Sequence, residues 1–223
     1  MNNSERMINS IIVESAKNIS ESEKDNFLEQ VISVENNAWP PELRASKEKF
    51  ASRLKVFPDG FFVVKVDGRI KGVTTSLITT YDPSITRTWD EITDNGVFKK
   101  SHNPSGNALY VASVGVSADA QGQGIGGKLV QSQIELAKKL GLKYLYLGAR
   151  IPGFDLYCRQ NGDISPEEYL KIKNEKGDTY DPEIRFYERQ GLHIAKIMPN
   201  FEPDTQSRNY GIVMLWENPQ ISS

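Results

Sequence analysis

Residues 121–128 read QGQGIGGK, with four glycines and a lysine in eight positions. Glycine lacks a side chain and adopts backbone angles closed to other residues, so such a loop can approach a ligand closely. The apolar spacing of residues 124–140 predicts a helix that begins inside this loop. Free N–H groups and the helix dipole favour negative charge at a helix start. The stretch therefore predicts a phosphate-binding loop.

One pattern on this loop is that of a P-loop nucleotide hydrolase. Gly122, Gly127 and Lys128 match most of the G-x-x-x-x-G-K-[ST] pattern. The position after the lysine needs a hydroxyl group to hold magnesium on the phosphates, and this chain has Leu129 there. The sequence therefore disfavours a P-loop nucleotide hydrolase.

A second pattern is that of a dinucleotide site. Gly122, Gly124 and Gly127 match G-x-G-x-x-G, which in dinucleotide-binding domains follows a strand directly and precedes a strand that ends in an acid. Here residues 117–120 separate the glycines from the strand, and the next strand runs into Arg150. Because arginine can accept a 2′-phosphate, an NADP-binding oxidoreductase remains open as an alternative.

A third pattern is formed by Gln121, Gly124 and Gly126, which follow the apolar stretch ALYVASVGV at residues 108–116. This order resembles the acyl-CoA loop of the GNAT superfamily of N-acetyltransferases, where a strand and a short link precede Q/R-x-x-G-x-G/A and a long helix. The link often carries a proline where this chain has Ala118.

The resemblance implies that acetyl-CoA is the acyl donor, that it binds without a metal, and that its pantetheine arm enters a cleft between strands 108–116 and 143–149. A backbone N–H near residues 114–116 would polarise the thioester carbonyl. On this basis the cofactor-binding residues are predicted to be Val114, Gly115, Val116, Gln121, Gly122, Gln123, Gly124, Ile125, Gly126, Gly127 and Lys128.

A further resemblance lies at residues 185–192, RFYERQGL, which is similar to the "FYxxxGF" segment of the same family. In that segment the tyrosine often lies close to the thioester sulfur, which makes Tyr187 the candidate general acid. The alternative is a core tyrosine with its hydroxyl at the surface. No general base can be assigned from the sequence; the candidates are Asp90, Glu91, Asp94 and His102.

The alternation of strands and helices predicts one domain of the α/β or α+β class, and the resemblance implies α+β. We expect a single GNAT-like domain over residues 1–223, with a central mixed, mostly antiparallel sheet flanked by helices and two inserts at about 80–107 and 151–182. Together with Trp39-Pro40, these inserts are expected to wall the acceptor pocket. Strands are predicted at 8–13, 60–66, 69–79, 108–116, 143–147, 192–197 and 210–216, and helices at 25–34, 46–56, 124–140, Ser165 to near Gly177, and 185–190.

Composition restricts the surroundings in which this domain works. The net charge of −2 argues against nucleic acid as a partner, and no apolar run is long enough for a signal peptide or a membrane span. The single cysteine, Cys158, excludes an internal disulfide and fits a reducing compartment, so we expect a cytoplasmic protein. Cys158 is interpreted as unreactive rather than as a nucleophile.

The sequence thus predicts an N-acyltransferase that moves an acetyl group from acetyl-CoA to an amine, by direct attack of the amine on the thioester. The acceptor is a small molecule or a peptide, and the family allows a homodimer. The stretch GARIPG at 148–153, with Asp181-Pro182, is similar to the acetyltransferase-like domain found beside nitrilase-type hydrolases. Because such domains need not be enzymes, a non-catalytic acyl-CoA-binding or sensing module is the second alternative.

Overall fold

The computed structural model describes residues 10–221, and within them one seven-stranded sheet forms the centre of the fold. The strand order is β1-β2-β3-β4-β5-β7-β6, and only β4 and β5 run parallel. The predicted α+β class and the mixed, mostly antiparallel sheet are therefore confirmed. The strands are β1 (Ile11–Ser15), β2 (Phe61–Val66), β3 (Arg69–Thr79), β4 (Ala108–Val116), β5 (Tyr144–Ala149), β6 (His193–Met198) and β7 (Gly211–Glu217).

Helices cover both faces of this sheet. They are α1 (Lys24–Ala38), α2 (Lys47–Val56), α3 (Trp89–Thr93), α4 (Ile125–Lys139), α5 (Phe154–Asn161), α6 (Pro166–Tyr169) and α7 (Pro182–Arg189). Local signals set several of their ends. The Ser46 hydroxyl accepts the N–H of Lys49 at the start of α2. Helix α1 ends at Ala38 because the next residue, Trp39, precedes a proline and so disfavours helical angles. None of these helices is long and apolar enough to cross a membrane.

The second insert differs from the prediction. Ser165 does begin a helix through a capping box with Glu168, but that helix ends at Tyr169 and not near Gly177, so the predicted length was wrong. The chain turns there and forms a bridge between Lys173 and Thr179. The sequence also missed α5 in this insert and α3 in the first. Residues 8 and 9 of the predicted first strand lie outside the described residues, and the strand runs from Ile11 to Ser15.

Helix α7 begins three residues earlier than predicted. The Asp181 side chain accepts the N–H groups of Glu183 and Ile184, and Pro182 occupies the first helical position. Both features favour a helix start, because an aspartate cap satisfies free N–H groups and proline needs none. The earlier start brings Glu183 onto the same helix face as Tyr187.

Both inserts belong to the core of the protein. In the first insert, Ile92 and Phe98 pack on one sheet face in a cluster that includes Tyr110 and Tyr146. In the second, Phe154, Cys158 and Tyr169 pack on the other face with α4 and α7. Each insert thus helps to cover one face of the sheet. The buried position of Cys158 agrees with the interpretation that it is unreactive.

The sheet opens between its two parallel strands. The β4–β5 ladder has three pairs and ends at Tyr110 opposite Tyr146, whereas β4 continues to Val116 in register with β3. A bulge in the β3–β4 register lies between Thr75 and Ser76, close to the point where the ladder ends. Beyond it, β5 pairs only with β7, so the second half of β4 has a free side toward β5. This opening positions the candidate site.

Candidate functional site

The glycine loop adopts a backbone that only glycine tolerates well. Gly122 and Gly124 have φ angles of +78° and +77°, in the left-handed region. A Cβ at either position would meet no described atom within 4 Å, so the requirement is for the angle and for free space beside the loop. Helix α4 starts at Ile125, directly after Gly124, and glycine has no side chain to cap its first N–H groups.

The next two glycines serve helix packing. A Cβ on Gly126 would lie 3.2 Å from the Phe186 ring, and one on Gly127 would lie 3.3 Å from the Gln190 side chain. Both contacts are tighter than ordinary van der Waals contact, so these glycines allow α7 to approach the first turn of α4. Helix α7 and the glycine loop are thereby held side by side.

A cleft of about 660 Å³ lies between the loop, the free half of β4 and α7. This volume is within the usual range of ligand sites, roughly 300–1,000 Å³. Nine of the residues predicted from the sequence line it: Val114, Val116, Gln121, Gly122, Gly124, Ile125, Gly126, Gly127 and Tyr187. Ala38, Trp39, Ala120, Arg150, Pro152, Pro182, Glu183 and Phe186 complete the lining.

Three predicted cofactor residues are not among the residues that line this cleft. A Cβ on Gly115 would lie 3.3 Å from Trp39 Nε1, so this glycine makes room for the end of α1. Lys128 lines a separate groove beside Val13 and Gln131, and Gln123 is exposed in the loop. The position of the loop glycines at the cleft agrees with the predicted phosphate-binding loop, whereas the position of Lys128 does not.

Burial raises the pKa of both Tyr187 and Glu183, which lie within about one helical turn, but from very different ordinary values. Burial raises the pKa of Tyr187, which is 7% exposed, well above its ordinary value, and the nearby Glu183 charge adds to this. Burial also raises the pKa of Glu183 to about 7, against the backbone N–H and the charge of Arg150. Near neutral pH the phenol is therefore a proton donor and the carboxyl group can serve as a base.

Glu183 was missed by sequence reasoning, although its spacing was readable. It stands four residues before Tyr187, which places both side chains on one face of a helix if the helix begins at Pro182. The signal was the Asp181-Pro182-Glu183 start, since Asp before Pro is a typical helix cap. The predicted helix began at 185 and so excluded this carboxylate.

The four loop residues considered as bases do not line the cleft in the described structure. Glu91 forms a capping box with Thr88, and Asp94 accepts the N–H of Lys100. His102 Nδ1 accepts the N–H of Ile78, and burial lowers the pKa of this histidine. Asp90 lines two other, smaller cavities, one of them together with Glu91 and Asp94.

Arg150 is fixed at the cleft by a carboxylate. Its Nε and Nη2 donate to Asp204 at 2.8 and 3.0 Å, and Nη2 also donates to Gln206 at 2.7 Å. The guanidinium carbon lies 5.9 Å from the centroid of the Trp39 ring. Because Nε and Nη2 are engaged, Arg150 has few donors left for a 2′-phosphate. The mostly antiparallel sheet also differs from the parallel sheet of dinucleotide-binding domains, so both observations disfavour a dinucleotide site.

Comparison with known proteins identifies the family behind this arrangement. The sequence model of the acetyltransferase (GNAT) family matches residues 21–157, which is more than half of the chain. The chain belongs to the GNAT acetyltransferase family. This membership makes it an acyltransferase of the N-acetyltransferase type, and the match includes β4, the loop and α4.

Two proteins of Bacillus subtilis (strain 168) are similar to this GNAT chain. The uncharacterized N-acetyltransferase YkwB is 37% identical over 196 residues, which cover 86% of this chain and 84% of YkwB. The probable hydrolase YhcX is 32% identical over 198 residues, covering 88% of this chain but only 37% of YhcX. The resemblance to a domain beside nitrilase-type hydrolases stays a prediction.

Solved GNAT structures share the fold at low sequence identity. The loading GNATL domain of CurA from Lyngbya majuscula superposes with a TM-score of 0.75 at 22% identity, covering 94% of this chain and 98% of that one. The GphF GNAT-like decarboxylase in complex with isobutyryl-CoA has a TM-score of 0.73 at 20% identity, with 93% and 98% covered. The putative acetyltransferase yncA of Salmonella typhimurium, with acetyl-CoA, has a TM-score of 0.55 at 13% identity, with 96% and 98% covered.

The loop glycine at the start of α4 gives a testable prediction. Gly124→Ala should raise the Kd of acetyl-CoA about tenfold, because the free loop can relax from the left-handed angle and binding must then restore it at a cost of about 1–2 kcal/mol, where about 1.4 kcal/mol is a factor of ten. Calorimetric titration would measure this. The matched control is Gly141→Ala at the other end of α4, where φ is +65° and no described atom is near. Gly141→Ala should lower stability but keep the wild-type Kd, and an equal Kd for the two variants would contradict the prediction.

Proposed function

We propose that this GNAT enzyme transfers the acetyl group of acetyl-CoA to an amine acceptor. The observation that carries the proposal is the cleft, in which the unpaired start of α4, the free half of β4 and the Glu183–Tyr187 pair meet. Helix N–H groups with glycines beside them suit a pyrophosphate without a metal. The free side of β4 suits an extended pantetheine arm, which can bond to a strand edge as a further strand would.

In the proposed reaction the chain's own residues move protons while the amine attacks directly. Glu183 takes a proton from the ammonium, and the free amine forms a C–N bond at the thioester carbonyl. Free N–H groups at the edge of β4 stabilise the oxyanion of the tetrahedral intermediate. The C–S bond then breaks, and the departing thiolate takes the phenol proton of Tyr187. The second nitrogen proton returns to the phenolate, and Glu183 releases its proton to water.

A thiol-release assay tests this function. Purified protein with acetyl-CoA is supplied with a panel of small amines and peptides, and free coenzyme A is measured together with the acetylated product. Release that depends on the amine supports the proposal. Calorimetric binding of acetyl-CoA without release in any arm would favour the non-catalytic acyl-CoA module, and binding of NADPH in place of acetyl-CoA would favour the oxidoreductase.

A further inference from the structure

A second cavity, here called the side pocket, shares Trp39 with the lining of the cleft. Its volume is about 130 Å³. The end of α1, the chain after it, α2, the start of α3 and the middle of β4 surround it. Its walls include Glu35, Trp39, Arg44, Arg53, Trp89 and Asp90.

The side pocket concentrates polar atoms that have no partner. Within residues 10–221, five buried side-chain nitrogen or oxygen atoms lack a hydrogen-bond partner. Three of them, Glu35 Oε2, Trp39 Nε1 and Arg53 Nη2, belong to residues that line the side pocket. Glu35 is 2% exposed and Arg53 is 1% exposed. An unpaired buried charged group is costly, so this arrangement is that of a site that binds a polar ligand.

The two buried charges are each half satisfied by neutral groups. Arg53 Nε donates to the Gly96 carbonyl at 2.8 Å, and Nη1 donates to the hydroxyls of Thr75 and Ser113 at 3.2 and 3.4 Å. Glu35 Oε1 accepts the N–H of Ala45 at 2.8 Å. Neither Arg53 nor Glu35 takes part in an ion pair among the described residues. Each therefore keeps one charged atom without a hydrogen-bond partner, and each charge is only partly offset by the other.

Burial shifts both groups toward their neutral forms, and the charge of each group offsets only part of the pKa shift of the other. It raises the pKa of Glu35, and it lowers the pKa of Arg53 to about 10. The rings of Phe50 and Phe98 lie 4.9 and 5.1 Å from the guanidinium carbon of Arg53 and shield it from water. An occupant with a carboxylate for Arg53 and an ammonium for Glu35 would compensate both charges.

We infer that the side pocket binds the acceptor, and that the acceptor is a small zwitterion of the α-amino acid class. Glu35 Oε2 accepts from its ammonium, and Arg53 Nη2 donates to its carboxylate. The remaining charged residues of the lining balance, with Glu42 and Asp90 against Arg44 and Lys49. This assignment of substrate class rests on the proposed acetyl transfer.

Size and position agree with this ligand. A volume of about 130 Å³ corresponds to about four water molecules at about 30 Å³ each, enough for an amino acid with a small side chain. Trp39 lines both the side pocket and the cleft. Ser113 lines the side pocket and its neighbour Val114 lines the cleft, and because successive side chains of a strand point to opposite faces, the wall that the two linings share is Trp39. In this proposal the charges of the acceptor bind in the side pocket, and its nitrogen passes Trp39 to lose its proton to Glu183 in the cleft.

Matched ligands test the two charge contacts separately. Protein saturated with coenzyme A is titrated calorimetrically with glycine, L-alanine and L-serine, with their amides, which lack the carboxylate, and with their N-acetyl derivatives, which lack the ammonium. At least one free amino acid should bind about tenfold or more tightly than both of its derivatives, since a charged hydrogen bond contributes about 1.5–3 kcal/mol. Equal binding of amide and amino acid, or no binding of any probe, would overturn the inference.

A variant then tests Glu35 itself. Glu35→Gln retains an acceptor for the N–H of Ala45 and removes the charge, so affinity for the free amino acid should fall about tenfold or more. An acetyl-CoA Kd equal to that of the wild type would show that the variant is folded. Glu29→Gln, an exposed glutamate of the same helix, is the control and should bind like the wild type. Unchanged amino acid binding in Glu35→Gln would overturn the assignment.

The outcomes also separate this inference from the proposed function. Amino acid binding without thiol release supports an amino acid site in the side pocket, but it rejects acetyl transfer and with it the role of that amino acid as acceptor. Release with other amines, while the amino acids bind no better than their amides, supports acetyl transfer and rejects the zwitterion.

Discussion

Replacing Tyr187 by phenylalanine is expected to lower kcat for acetyl transfer about 100- to 10,000-fold, the usual contribution of a positioned general acid. The ring would still pack beside Phe186, whose centroid lies 5.0 Å away, so the change removes the hydroxyl and little else. Because burial holds the pKa of Tyr187 well above its ordinary value, the phenol carries its proton throughout the working pH range. Steady-state kinetics with saturating acetyl-CoA would measure the loss.

The control for this variant is Tyr157→Phe. Tyr157 is a partly buried tyrosine of α5 that packs against the same core cluster and lies outside the cleft lining. Its loss of a hydroxyl should leave kcat unchanged, and both variants should bind acetyl-CoA like the wild type. Full turnover by Tyr187→Phe would remove this residue from the mechanism and leave protonation of the thiolate to water.

Replacing Glu183 by glutamine is expected to lower kcat/KM about 100-fold or more above neutral pH, because a general base contributes at least this much. A base acts when it is deprotonated, and burial raises the pKa of Glu183 to about 7. Wild-type activity should therefore rise with pH through about 7, and the variant should lose that rise. Glutamine keeps an oxygen for the backbone N–H of Arg150, so the local structure is retained.

The measurement is a profile of kcat/KM from about pH 5.5 to about pH 9 with one acceptor, so that the amine's own titration is common to both proteins. Glu188→Gln is the control, because Glu188 lies on the same helix, outside the cleft lining, and accepts the Thr179 hydroxyl. An unchanged rise near pH 7 in Glu183→Gln would assign that titration to another group.

The parts of the fold that the sequence predicted are those with local causes. The Asp67-Gly68 turn between β2 and β3, the Ser46 cap and the stop at Gly141 each follow from residue types next to one another. Helix α4 carries a broad apolar stripe over its whole length, so its pattern was unambiguous. Helices α3 and α5 are short and depend on tertiary packing, for example of Phe154 and Cys158, which no local pattern reveals.

The same distinction explains the predictions at the site. The loop glycines were predictable because their left-handed angles are a local demand. Lys128 belongs to the same motif, but each helical residue turns the side chain by about 100°, and its position points to another groove. The side pocket joins Glu35 and Arg53 from two helices with Trp89 from an insert, and such a meeting depends on the whole fold.

Trp39 forms a wall of both the cleft and the side pocket, and this has a thermodynamic consequence. A molecule that shifts the indole from one side changes the shape offered to a molecule on the other. Whatever factor acetyl-CoA then imposes on the affinity of a second occupant, that occupant must impose on acetyl-CoA. A coupling of this kind would be carried by the Trp39 ring, so truncating that side chain should make the two proposed occupants bind independently.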